Sequence, residues 1–135
     1  MSSNDENQRN SLFAQLIRLA QTDGEVNFKE FQFLLTLAQQ MGMDKDELKK
    51  LFEEQIDFHP PKIEFERIVQ FQRLILMMNV DLEIDEKEME YIRDLGFRMG
   101  LHPFAIEEIM RVMHNYPNKV VPPEKLIQIF STFHN

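Results

Sequence analysis

Apolar residues recur along this chain at intervals of three and four, and nowhere at intervals of two over a useful length, so the pattern predicts helices and no strands. Leu12, Phe13, Leu16, Ile17 and Ala20 form the first stripe. Residues 1 to about 10 ahead of it are polar and uncapped, which predicts a flexible tail and a first helix beginning near Ser11. A second helix is predicted from the cap Asn27, with Phe31, Leu34, Leu35, Ala38 and Met41 on one face and Gly42 as terminator. Asp44 opens a third through a capping box with Glu47, burying Leu48, Leu51 and Phe52. Pro60-Pro61 breaks the chain and starts a fourth. Its second half, Val69 to Met78, is apolar almost all round, the mark of a central strut. Asp85 caps a fifth helix carrying Met89, Ile92, Leu95 and Met99, which Gly100 ends. His102-Pro103 opens a sixth with Ile106, Ile109, Met110 and Met113. Pro122-Pro123 starts a seventh with Leu126, Ile127, Ile129, Phe130 and Phe133.

These helices are not independent. A shift of 58 positions returns the same chemistry: Phe13 and Phe71, Leu16 and Leu74, Ile17 and Ile75, Asp23 and Asp81, Glu25 and Glu83, Val26 and Ile84, Asn27 and Asp85, Lys29 and Lys87, Glu30 and Glu88, Leu37 and Leu95, Met41 and Met99, Gly42 and Gly100. Two amphipathic stripes agree easily by chance; agreement in a loop, a cap and a terminator as well points to a duplicated unit. The expected fold is therefore all-α: a single compact domain over residues 11–135, of about seven helices. It is made of repeat 1 (about 13–51), repeat 2 (about 71–109) and a C-terminal helix (about 122–133), with a pseudo-two-fold relation between the repeats.

Composition narrows the function. The formal charge of −8 opposes the counterion release that drives proteins onto phosphate backbones, and Lys and Arg are scattered, so nucleic acid is not an expected ligand. The absence of cysteine removes thiolate zinc sites and thiol nucleophiles and fits a reducing compartment, with the cytoplasm as the expected location. The longest strongly apolar stretch, Leu74 to Met78, is far below the roughly 20 residues that span a bilayer. No signal-like apolar segment opens the chain.

The string Thr22-Asp23-Gly24-Glu25-Val26-Asn27-Phe28-Lys29-Glu30, followed by an apolar helix ending in Met41-Gly42-Met43, resembles the TerB-like family of tellurite-resistance proteins and the related helical domain of DjlA-type co-chaperones. Asp81-Leu82-Glu83-Ile84-Asp85-Glu86-Lys87-Glu88 echoes it less faithfully, with Leu82 in place of the loop glycine. The resemblance spans nearly the whole chain from Ser11. It implies a cytoplasmic, stress-associated interaction or sensing module without catalytic activity, in which acidic positions are suspected of holding a metal ion. Carried over residue by residue, those positions are Asp23, Glu30, Asp81 and Glu88.

Two readings of these acids stand side by side. Asn27-x-x-Glu30 and Asp85-x-x-Glu88 are capping boxes, and first-turn acids complement the helix dipole, so a purely structural role accounts for them. If instead the four carboxylates converge where the repeats meet, their repulsion calls for a cation, and all-oxygen ligation favours Ca²⁺, Mg²⁺ or Mn²⁺. An EF-hand does not fit: with Gly24 and Glu30 at the sixth and twelfth loop positions, Leu19 and Gln21 would occupy the first and third, and Met77 and Asn79 in the second copy.

Little else suggests catalysis. His59, His102, His114 and His134 form no His-Glu-x-x-His pair, His59 and His102 sit before prolines as turn or cap residues, and no nucleophile elbow or phosphate loop is present. The nine methionines, Met77, Met78, Met110 and Met113 among them, suit core filling better than an adaptable groove. Ile127, Phe130 and Phe133 form a stripe suited to a homodimer or another protein partner. The expectation is a non-enzymatic interaction or sensing module with a divalent-cation site. The alternative is a metal-dependent, hydrolase-like enzyme using the same carboxylates.

Overall fold

The computed structural model describes residues 3–22, 24–80 and 85–133, the side chains of residues 3 and 4 apart. Its described elements are α1 (Ser3–Ala20), α2 (Phe28–Gln40), α3 (Lys45–Leu51), α4 (Glu64–Met78), α5 (Glu86–Arg98), α6 (Pro103–Val112) and α7 (Pro123–Thr132), with two short 3-10 turns between α6 and α7. Among the described residues there is no strand, and no helix is long and apolar enough to cross a membrane.

The 58-residue spacing carries through to local structure. The bounds of α2 and α5 are that distance apart, and α3 and α6 begin that distance apart. Asn27 and Asp85 cap α2 and α5 through complete capping boxes, and Asp44 does the same for α3. At the other ends Gly42 and Gly100 take φ of 78° and 82°. This left-handed turn lets the Met43 N–H donate back to the Ala38 carbonyl (2.8 Å) and the Leu101 N–H to that of Gly96 (3.1 Å). Both are the six-to-one bond of a Schellman ending, which satisfies a carbonyl the helix would leave free.

The core is assembled around α1 and α4, which pack on each other. Phe13, Leu16 and Leu19 from α1 and Phe71, Leu74, Met77 and Met78 from α4 are completely or almost completely buried. Leu34 and Ile92, 58 apart on α2 and α5, close over them, as do Leu48 on α3 and Ile106 on α6. The strut expected of α4 is thus half of a central pair: α1 also touches α2, α3 and α5. Gly96 marks where the second half is tightest. A Cβ there would lie 2.7 Å from Ile106 Cδ1 and 2.8 Å from Phe71 Cε1, whereas the matching position in the first half accommodates the buried Ala38.

Two boundaries differ from the sequence expectation. α1 begins at Ser3, well before Ser11. Arg9, counted with the tail, is 8% exposed, and its guanidinium donates to the Gly42 carbonyl (3.2 Å) and to Glu47 (3.4 Å). A contact between the start of α1 and the α2–α3 turn therefore extends the helix, and periodicity has no means of registering it. α4 begins at Glu64 rather than directly at Pro61, because the Arg67 guanidinium gathers the Pro61 and Lys62 carbonyls (3.2 and 2.8 Å) into a non-helical entry.

Candidate functional site

Of the four carboxylates expected to converge, Glu30 and Glu88 are described, whereas Asp23 and Asp81 lie outside the described residues. Glu30 is the third residue of α2 and Glu88 the third of α5, and each is only 5% exposed. Their carboxylates accept from the N–H groups of their own caps, Asn27 (2.9 Å) and Asp85 (3.3 Å). The cap side chains accept in return from the Glu30 and Glu88 N–H groups, both at 2.8 Å. The capping role is thus present at both positions. Burial goes beyond what a cap needs: first-turn acids of ordinary capping boxes sit in water, as Glu47 of α3 does. A carboxylate this far removed from water requires compensation for lost hydration. Among the described residues no group of three or more Asp, Glu or His side chains is arranged to hold a metal ion.

The second candidate lies at the α5–α6 turn, where α7 meets it. Phe97 and Phe104 are 65% and 67% exposed. The Phe104 ring stands 6.4 Å from Phe133 and 5.5 Å from His102, and His102 is 5.8 Å from Phe133. His102 is held in place as the cap of α6, its Nδ1 accepting from the Phe104 N–H at 3.1 Å. Phe97, His102 and Phe133 border an open groove of about 550 Å³ that also includes Glu64, Leu101 and Phe130. A second hollow of about 160 Å³ lies on the far side of Phe97 and Phe104, beside Arg93 and Glu107. Arg93 bridges Glu107 (2.7 Å) and Glu86 (3.3 Å), giving the aromatic face a charged rim.

This face corrects the stripe expected on the last helix. Phe130 is 4% exposed and packs edge-on against Phe71 (6.1 Å) in the core, leaving only Ile127 well exposed and Phe133 half-buried. The three positions share a helix face, but that face is partly covered. Phe97 and Phe104 were missed because each lies outside its helix's apolar stripe. The signal available was the repeat itself: 58 positions earlier stand the exposed polar residues Gln39 and Asp46.

The remaining expectations fall as follows. Met77, Met78, Met110 and Met113 are all buried, as core filling requires. His59 belongs to the turn before α4, its N–H donating to the Ser11 hydroxyl oxygen at 2.8 Å. His114 is exposed in a 3-10 turn, and His134 lies outside the described residues. No family model, curated protein or solved structure matches the chain.

Proposed function

We propose that this chain is a non-enzymatic interaction module of the TerB-like type, docking a protein partner on the aromatic face of Phe97, His102, Phe104 and Phe133. On this reading the two halves are copies related by an approximate two-fold axis. The acidic loops ahead of α2 and α5 supply the sensing element: Asp23, Glu30, Asp81 and Glu88 bind a Ca²⁺, Mg²⁺ or Mn²⁺ ion, and the cytoplasm is its place of action.

The observation that carries the reading is that Phe97 and Phe104, which with Phe28, Ile63 and Phe65 are the most exposed large apolar side chains described, line one hollow together and adjoin His102 and Phe133. Leaving two rings in water forfeits about 2 kcal/mol or more each relative to burying them. Aromatic side chains are also the residues that interfaces concentrate at their centres. The hydrolase alternative has less support, since the described grooves are open and the two described carboxylates already serve their own caps.

The test compares proteins captured in cells by the wild type and by Phe97→Ser/Phe104→Ser, with circular dichroism checking the helix content of the variant. Loss of a defined partner with the fold intact is expected. An unchanged set of captured proteins would count against the aromatic face. For the sensing element, chelated protein is titrated with each of the three ions; no heat and no melting shift with any of them would remove the cation from the proposal.

A further inference from the structure

Arg73 is the one charged residue of α4 in the stretch from Val69 to Met78, where Gln70 and Gln72 are the other polar positions. Among the described residues no hydrogen bond or ion pair reaches its guanidinium, although the chain has 23 acidic side chains against 15 Lys and Arg. The side chain is half-buried, and burial holds its pKa below the usual arginine value. On one side of it lies a groove of about 390 Å³ that includes Asp5 and Glu66. On the other, between α2 and α4, lies a groove of about 340 Å³ that no carboxylate lines. Thr36 and Gln40 of α2 bring polar groups to this second groove, and Leu37, Val69 and Leu76 make its apolar floor.

At the matching positions of the other half, polar side chains pair with one another. The residues 58 positions from Arg73 and Phe33 are Gln15 and Tyr91, and the Tyr91 hydroxyl donates to Gln15 Oε1 at 2.6 Å. Where the first half has Thr36 and Gln40, the second has Asp94 and Arg98, which pair at 3.9 Å. The Tyr91 hydroxyl, Gln15 Oε1, Asp94 and Arg98 thus each have a local counterpart, whereas Gln15 Nε2 has none and the exposed Arg18, 58 positions from Leu76, makes no hydrogen bond or ion pair among the described residues. At the α2–α4 junction Phe33 has no hydroxyl to offer and Thr36 has no charge, so the cation is left with an open groove in front of it.

We propose that the α2–α4 groove binds a small organic carboxylate with an apolar chain. The carboxylate sits on the Arg73 guanidinium, with the Thr36 hydroxyl and Gln40 amide as further donors, and the chain lies along Leu37, Val69 and Leu76. A planar guanidinium binds a carboxylate through two parallel hydrogen bonds, and partial desolvation strengthens the pairing. The volume is at the low end for ligand pockets, which selects a free acid of medium chain length. The opposing possibility is that the arginine merely covers apolar surface with its stem and keeps its head in water. This inference is independent of the aromatic face and of the acidic loops.

The test is titration of the full chain with octanoate, followed by amide chemical shifts. Saturable changes near or below about 1 mM, centred on residues 33–40 and 69–76, are expected. Acetate, which lacks the chain, and octanamide, which lacks the charge, should each bind about tenfold more weakly or worse. Arg73→Gln should cost octanoate a similar factor. Thr36→Asp should do so too, by supplying an internal carboxylate; it is the second variant should the first fail to fold. Absence of saturation at about 10 mM octanoate, equal binding of octanamide, or unchanged binding in both variants would overturn the site. Displacement of octanoate by lower concentrations of a leucine-rich peptide with a free C-terminus would overturn the assignment to a small free acid.

Discussion

The α1–α5 and α2–α4 junctions are built from positions 58 residues apart, yet a side-chain hydrogen bond crosses the first and a groove lies at the second. At the first, Tyr91 reaches Gln15 across the junction, and Arg18, Asp94 and Arg98 lie close enough to influence the phenol. At the second, Phe33 and Arg73 line a groove and make no hydrogen bond or ion pair with each other. α2 and α5 share their bounds at an offset of 58, whereas α1 starts three residues earlier than α4 at that offset and packs on α5 more closely than α4 packs on α2, so the junctions differ in backbone as well as in side chains. At matching positions a hydroxyl and a charge thus decide which polar groups find a partner within the chain.

The largest effect should come from the packing that distinguishes the two halves. Gly96→Ala introduces a Cβ into the contact with Ile106 and the Phe71 ring and should destabilise by about 1–3 kcal/mol. Ala38→Gly, the reciprocal change, should cost about 2 kcal/mol, from about 1 kcal/mol of helix propensity plus one buried methyl. Urea denaturation of both variants checks the values; a Gly96→Ala protein as stable as the wild type would mean that the second half has room for the methyl.

Next in size is the hydrogen bond across the α1–α5 junction. Tyr91→Phe leaves the largely buried Gln15 amide without its partner and should cost about 1–2 kcal/mol. Burial raises the Tyr91 pKa above 10, Asp94 adds to the rise, and Arg18 and Arg98 oppose it. The folded state thus holds its proton more tightly than the unfolded chain. The associated stability is complete below the unfolded value near 10 and is lost as pH rises through the folded value. Melting of the wild type should therefore fall more steeply above about pH 10 than that of Tyr91→Phe; parallel curves would exclude Tyr91 as the source.

The smallest expected effect is a transplant. Phe33→Tyr with Arg73→Gln copies the Tyr91–Gln15 pair into the α2–α4 junction and should change stability by less than about 1 kcal/mol, in the stabilising direction. Because the two sites are coupled, a double-mutant cycle should give a favourable interaction that neither single change shows. An additive cycle would mean that the backbone difference holds the two side chains out of each other's reach.

What was legible in the sequence is what local chemistry determines. Asn27, Asp44 and Asp85 fix helix starts through bonds to residues three positions away, and Gly42 and Gly100 fix helix ends through one backbone angle. The stripe residues then reach the core because amphipathic periodicity leaves them one face to bury. What was not legible depends on partners distant along the chain. The early start of α1 follows from Arg9 meeting Gly42 and Glu47, and the burial of Phe130 follows from Phe71. Within the expected carboxylate set, Glu30 and Glu88 form the capping boxes that their spacing from Asn27 and Asp85 predicts, whereas their burial depends on tertiary packing that the spacing does not encode. Phe97, Phe104 and Arg73 are not legible from the pattern shared by the two halves, because each differs in kind from its counterpart 58 positions away, Gln39, Asp46 and Gln15.

The position of α1 has a consequence for how such a molecule can be assembled. One helix from the first half packs against α4 and α5 of the second, and the Ser11 hydroxyl also holds the turn at His59 that joins them. Neither half possesses a complete interior of its own. Folding is then a single cooperative event in which the two halves condense together, and the slowest-exchanging amides are expected on α1 and α4 as one set.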